Sequence, residues 1–467
     1  MHSSNNSLTE VMPNHSILYK QRWFILFALS WLNFTNGILW ISFASVSDNM
    51  ARFFAVSLDD INYLSLVFPV ITIVLGLPVI WGIDKFGLRI TCVACGWLNL
   101  SSALLRFSST YKLVDVNYRY PIAMFGQVVG SLAQPLAMFS PAKLASLWFP
   151  SHQRALATTV GAMGNPLGIL LGSLLPPYFI EYSPFCISCG ILVISFISAL
   201  LPTFLIYRSR PPVPPTTFSD RPIDGHNPFW EQMRFCISSL PFIVLSLTFG
   251  MGLGLFTGLS TLLEQILCPF GYSDKFAGFC GALLIGSGLI GSFISGVVAD
   301  KTKAFTEIVQ FCIVCTTFGV IAFSILTQYV DFYVPIAASV AAIGAFGIAL
   351  YSVALELAAE ISFPVSENIS TGLLVVSGQI FSVVFIMLSQ VLWAPPQIMV
   401  NPNCSVISGS SAKNYWRFNV FMSSVAVVGS TMMLLGFSAK YLRQTTEITF
   451  INTHEHFNEA IEQSISR

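Results

Sequence analysis

Long apolar stretches alternate with short polar breaks along almost the whole of this 467-residue chain. A helix needs roughly 20 mostly apolar residues to cross the hydrocarbon core of a bilayer. Twelve stretches meet that length: 23–46, 61–83, 90–107, 120–148, 155–180, 184–207, 236–265, 276–299, 306–328, 332–361, 370–393 and 415–441. A membrane-spanning β-strand would be about half as long and would alternate in polarity. The pattern therefore predicts twelve transmembrane helices.

One polar connection is long. Residues 208–235 hold Pro211, Pro212, Pro214 and Pro215, then Asp220, Arg221, Asp224 and His226. Clustered prolines stiffen a linker and forbid regular helix. The expected organisation is a tail (1–22), a six-helix bundle (23–207), this linker (208–235), a second bundle (236–441) and a tail (442–467).

The two bundles echo one another. Asp84-Lys85 follows the second helix and Asp300-Lys301 the eighth, an offset of 300 − 84 = 216. Phe149-Pro150 ends the fourth helix and Phe363-Pro364 the tenth, an offset of 363 − 149 = 214. Asn165 then falls opposite Gln379, also 379 − 165 = 214 apart. Duplicated six-helix halves mark the major facilitator superfamily fold, so an all-α integral membrane protein of that fold is expected.

Composition agrees with lipid as the solvent. Charged residues make up 9% of the chain and hydrophobic ones 54%, against roughly 25% charged in soluble chains. Formal net charge is zero, which gives nucleic acid no purchase. The first 22 residues are polar and lack the apolar core of a cleavable signal. Lys20, Arg22, Lys85, Arg89, Arg208, Arg210, Lys301 and Lys303 gather on one side of the predicted topology. The positive-inside rule makes that side cytosolic, with both termini and the linker. Asn403-Cys404-Ser405 in the last outer loop is then an accessible glycosylation sequon. The plasma membrane is the first expectation for location, and a monomer for the assembly.

Nothing in the motifs reads as an enzyme. There is no phosphate loop, and the six histidines fall in tails or loops. The pairs Cys92/Cys95, Cys186/Cys189 and Cys312/Cys315 have metal-motif spacing, but they lie in apolar runs and read as small packing residues. Neither a cofactor nor a metal is expected; the expected partners are the bilayer and a small organic solute.

Transporter substrates bind near the midplane between the halves. Counting along each run puts Asn33, Asn36, Gln134, Asn165 and Gln379 at middle depth. Polar groups there must face one another or a wet cavity. Gln134, Asn165 and Gln379 come from both halves and fit a substrate site or interhelical glue; Asn33 and Asn36 fit glue. Asp84, Lys85, Arg89, Asp300 and Lys301 fit a gate at the cytosolic ends, as does a pairing of Lys143 with Glu356 or Glu360. Glu264, near the outer end of the seventh helix, fits an attractor of cations into the vestibule or, the reading preferred, a solvated helix end. With no acidic residue central in the first, fourth, fifth or eleventh helix, facilitated diffusion is the default expectation.

Several stretches carry a resemblance. Trp40-Ile41-Ser42-Phe43-Ala44, Gln134, Ser140 to Phe149, Asn165-Pro166-Leu167-Gly168, Ser260 to Gln265 and Gly378-Gln379 are similar to solute carrier family 49, which includes the feline leukaemia virus subgroup C receptor proteins. The resemblance implies twelve helices and alternating access, with members linked to choline and ethanolamine uptake and to heme export. It implies that Trp40 belongs to an aromatic cage for a quaternary amine, and that Gln134 and Gln379 are its glutamines. The cage tyrosine of the seventh helix is replaced by Thr257, with Phe256 beside it. A choline- or ethanolamine-like amine is the first expectation, heme or porphyrin export the second, and a non-transporting receptor or scaffold the third. No His sits at midplane to ligate heme.

Overall fold

A computed structural model describes residues 19–438 apart from 112, 181–182, 213–228, 364, 366 and 395–413. It contains the twelve expected spans. We label the long helices α1 (Gln21–Ile41), α2 (Leu58–Phe86), α3 (Leu88–Ser109), α4 (Val116–Trp148), α5 (Ser151–Leu174), α6 (Pro184–Leu205), α7 (Leu240–Leu267), α8 (Asp274–Thr302), α9 (Phe305–Leu326), α10 (Tyr333–Ile361), α11 (Glu367–Ser389) and α12 (Trp416–Gly436). Among the described residues the only β-structure is an isolated bridge between Ala394 and Asn414.

Local sequence sets the helix ends. Ser57 and Asp60 form a reciprocal capping box that starts α2, satisfying two orphan N–H groups at once. Ser273 caps α8 in the same one-sided way that Asp115 caps α4. Between α2 and α3 the chain turns at Gly87, with φ +83°, where an added Cβ would sit 2.8 Å from Ser209 Oγ. The positive φ requires glycine.

The packing is duplicated. Within the first half, α1 packs on α5, α2 on α4, α3 on α4 and α6, and α1 on α6; within the second, α7 packs on α11, α8 on α10, α9 on α10 and α12, and α7 on α12. Between halves, α2 meets α11 and α5 meets α8. Exchanging the halves maps each of these contacts onto another, as a pseudo-twofold axis requires.

Gln21 Nε2 bonds Leu205 O at 3.3 Å, and Ser209 Oγ accepts from Arg89 N at 3.2 Å. The starts of α1 and α3 and the end of α6 therefore share one face with the α6–α7 connection, called the linker face below. The opposite face is the far face.

Three departures from the sequence pattern matter. The first run does not continue to residue 46: α1 stops at Ile41, and a 3₁₀ turn leads into a separate helix, Ser47–Phe54. That helix carries Asp48, Asn49 and Arg52 and is too polar to span. The fifth run breaks before the short helix Pro176–Phe179, because neither Pro176 nor Pro177 can donate to the preceding turn. The helix Phe229–Ser238 begins inside the stretch read as linker.

Candidate functional site

The interruption of α1 has a visible cause. Arg106 of α3 is 1% exposed. Its Nη1 donates to Leu39 O at 2.7 Å and to Gln127 Oε1 at 3.4 Å, and its Nη2 donates to Ser42 Oγ at 2.6 Å. The guanidinium also lies 3.9 Å from the Phe43 ring centroid. A planar fork with five donors can hold a carbonyl, an amide and a hydroxyl together. It takes up polar groups that the end of a helix leaves without intrahelical partners. Trp40 sits between two of those anchored residues. Its Nε1 donates to Ser65 O at 3.2 Å, which fixes the indole.

Near the middle of the molecule a cavity of about 160 Å³ lies between the halves. The first half contributes Asn33, Trp40, Gln134, Met138, Met163 and Asn165; the second contributes Phe249, Phe256, Thr257, Thr316, Tyr351, Gln379 and Met422. Among the described residues the lining holds four carboxamides, four aromatic rings and no Asp, Glu, Lys, Arg or His. Gln134 Oε1 is buried without a hydrogen-bond partner among the described residues. Thr257 Oγ1 accepts from Ser382 Oγ at 3.0 Å.

All six expected substrate-site residues, Trp40, Gln134, Asn165, Phe256, Thr257 and Gln379, meet at this cavity. Trp40 is 8% exposed. Asn36 is glue, as expected: its Nδ2 bonds Asn99 Oδ1 and Gly130 O, each at 3.1 Å. Asn33 does both jobs, bonding Ala137 O at 3.1 Å while lining the cavity. Sequence reasoning missed Phe249 and Tyr351, whose rings lie 5.3 Å apart. In an apolar run an aromatic facing a cavity is indistinguishable from one facing lipid, and only the turn of the helix separates them. The cavity also corrects the reasoning on heme. Met138, Met163, Met422 and Tyr351 line the cavity and are of ligand types that hold heme iron, so the lack of a midplane His does not by itself argue against heme.

At the far face the halves are joined by polar contacts. Gln265 Nε2 donates to Asn62 Oδ1 at 2.7 Å, and Tyr415 Oη donates to Gln265 Oε1 at 2.9 Å. Asn49 Nδ2 donates to Asp274 Oδ2 at 3.0 Å. Burial, then the nearby carboxylates of Asp59, Glu264 and Asp48, pushes the Tyr415 phenol well above its ordinary value, so it stays a donor. Ser47 Oγ donates to Glu264 Oε2. Glu264 is 3% exposed, which overturns its reading as a solvated helix end. The spacing along α7 correctly placed it one turn from the end; its cover comes from residues more than 200 positions earlier.

The sequence profile of the Major Facilitator Superfamily matches residues 23–386. Solute carrier family 49 member A3 of Xenopus tropicalis is 38% identical over 94% of this chain and 92% of its own length. The chain belongs to solute carrier family 49, within the Major Facilitator Superfamily. Choline/ethanolamine transporter FLVCR2 of Rattus norvegicus is 28% identical over 78% of this chain and 68% of its own length. The crystal structure of a D-xylose-proton symporter shares the fold at a TM-score of 0.66, with 14% identity over 90% of this chain and 98% of its own.

As a family 49 chain it is a multi-pass membrane transporter of small solutes. Its expected gate residues stand at or near the linker face. Lys85 Nζ lies 4.6 Å from the Trp81 ring centroid and 5.9 Å from that of Phe86. Arg89 and Lys301 are exposed, Lys143 is half-buried, Glu356 is exposed and Glu360 buried. Asn403 and the side chains of Asp84 and Asp300 lie outside the described residues. Cys92, Cys95 and Cys312 are buried free thiols, whereas Cys186 is exposed.

Proposed function

We propose that this chain carries a small organic amine of the choline or ethanolamine class by alternating access, as a facilitated-diffusion carrier whose linker face is cytosolic. The observation that supports this reading is a cavity between the halves that is rich in aromatic rings and carboxamides and has no charged side chain among the described residues. An organic cation of low charge density needs no counter-ion there. Aromatic faces attract it by roughly 0.5–2 kcal/mol each when desolvated, and amide oxygens such as Gln134 Oε1 replace its water. An anion would need a Lys or Arg that the lining lacks. Phe249 and Tyr351 provide rings on the second half, where Thr257 offers only a hydroxyl. The rat relative, a choline/ethanolamine transporter, points the same way. A scaffold would have no use for amides from both halves converging on one cavity.

Uptake of radiolabelled choline and ethanolamine into cells expressing the protein tests this. Saturable uptake is expected, with Trp40→Ala lowering kcat/KM by about 2- to 30-fold, the range that a lost cation–π contact supplies. Gln134→Leu is expected to fall similarly, with melting temperature held. If neither amine is taken up nor raises the melting temperature of the purified protein, the amine reading is wrong.

The proposed linker-face gate pairs Lys143 of α4 with Glu356 or Glu360 of α10, which reach that face from opposite halves. Lys143→Met is expected to slow uptake of the same amines, and adding Glu356→Gln or Glu360→Gln to restore it, since removing the second charge relieves an unpaired ion. Restoration by neither second change rejects the pairing.

A further inference from the structure

We infer that Asn33 and Asn165 select a primary ammonium over a quaternary one, so that the carrier prefers an ethanolamine-like amine to a choline-like amine. The inference rests on the amine reading above and decides between its two cargoes.

Asn33 of α1 is 2% exposed and lines the cavity. Its Nδ2 donates to Leu29 O at 3.3 Å and to Ala137 O at 3.1 Å. Asn165 of α5, half-buried and also in the lining, donates from Nδ2 to Asn33 O at 3.5 Å. A carboxamide has a nitrogen that only donates and an oxygen that only accepts. Each nitrogen here faces a backbone carbonyl, so a flipped amide would set oxygen against oxygen. The orientation is therefore fixed, and the atom left to offer the cavity is Oδ1 in both residues. Neither Oδ1 has a hydrogen-bond partner among the described residues. Gln134 contributes a third carboxamide oxygen without a donor.

Close helix packing holds the two asparagines in place. A Cβ added at Gly164 would meet Ser30 O at 2.2 Å and Asn33 Cβ at 3.1 Å, and one at Gly37 would meet Asn165 O at 2.4 Å. The backbones of α1 and α5 thus touch on either side of the pair. The acceptors are positioned before any ligand arrives, which spares the ordering cost of binding.

Acceptors and rings make different demands of a cation. Trp40, Phe249 and Tyr351 attract any organic cation through their faces, so they do not distinguish ethanolamine from choline. A primary ammonium carries three N–H donors that lose water on entry, and each one left unmet is costly. The carboxamide oxygens of the first half meet that need. A quaternary ammonium has only methyl groups to offer, and the same oxygens then stay without donors after losing their water. A site built to bond a polar hydrogen rejects the analogue that lacks it more strongly than an apolar pocket rejects a misfit.

The test measures uptake by full-length protein in proteoliposomes for ethanolamine, N-methylethanolamine, N,N-dimethylethanolamine and choline. Each carries one positive charge at pH 7, so voltage acts on all of them alike. The series replaces N–H by methyl one step at a time. kcat/KM is expected to fall along it, with ethanolamine exceeding choline by at least about tenfold, the lower end of what one hydrogen bond to a charged group supplies. Asn33→Leu and Asn165→Leu, which keep the branched outline of asparagine, are each expected to cut that ratio by about tenfold. A helix-packing role alone would lower uptake of the whole series together and leave the ratio unchanged. Choline carried as well as ethanolamine by the wild type overturns the inference and leaves the amine reading standing. So does a ratio that survives in both variants; should neither fold, the wild-type series decides alone. Transport of no member of the series rejects the amine reading itself, and this inference with it.

Discussion

Arg106→Lys is expected to cost roughly 3 kcal/mol of stability, from the loss of one or two hydrogen bonds to a charged group worth about 1.5–3 kcal/mol each, and to abolish transport. The two side chains carry the same charge, so the difference isolates geometry. Arg106 reaches Leu39 O, Ser42 Oγ and Gln127 Oε1 at once, and all three partners are neutral. A lysine ammonium on a single stem cannot span them, yet it keeps the full penalty of a buried charge. Arg106→Met removes that penalty along with the bonds. Its stability should therefore lie above that of the lysine variant, while transport is still lost because nothing holds the end of α1 or the register of Trp40. Thermal melts in detergent together with uptake assays check both points. A lysine variant as stable and active as wild type would show that the guanidinium merely fills space.

The second large effect is expected from Gly168→Ala. An added Cβ would stand 2.0 Å from Phe34 O and 2.8 Å from Phe34 C, both backbone atoms of α1. Backbone cannot rotate out of the way as a side chain can, so α1 and α5 must separate. Overpacking of this kind costs about 1–3 kcal/mol. The functional loss should be larger than the stability loss. Asn165 and Asn33, whose contact is Asn165 Nδ2 to Asn33 O at 3.5 Å, sit one turn along the same crossing and both line the cavity. Displacements near 1 Å at a binding constellation can cost on the order of 100-fold, so uptake should fall by at least tenfold. Gly190→Ala is the control: nothing lies within 4 Å of its added Cβ, and both stability and uptake should be unchanged.

How much of this was legible in the chain itself depends on the range of the interaction. The twelve helices were, because a spanning helix announces itself in one continuous run and needs no distant partner to be recognised. The halves were too, through Asp84-Lys85 against Asp300-Lys301. The amides at the cavity were found because a carboxamide in an apolar run has few places to go. The break after Ile41 was not, since its cause is Arg106, sixty-odd positions away on another helix. The burial of Glu264 was hidden for the same reason: only the fold brings Ser47 and Asp48 over it. Phe249 and Tyr351 were invisible among 40 phenylalanines and 14 tyrosines, because composition says nothing about which way a ring faces.

A cavity with no fixed charge among its described residues also bears on what would drive net movement. An empty carrier with such a site crosses the membrane field as a neutral body, whereas the same carrier holding an organic cation crosses with one positive charge. Voltage then acts on one half of the cycle only. One charge moved through 100 mV is worth about 2.3 kcal/mol, or roughly a fifty-fold gradient, so a passive carrier of this design accumulates its cargo on the negative side of the membrane with no ion to pull it.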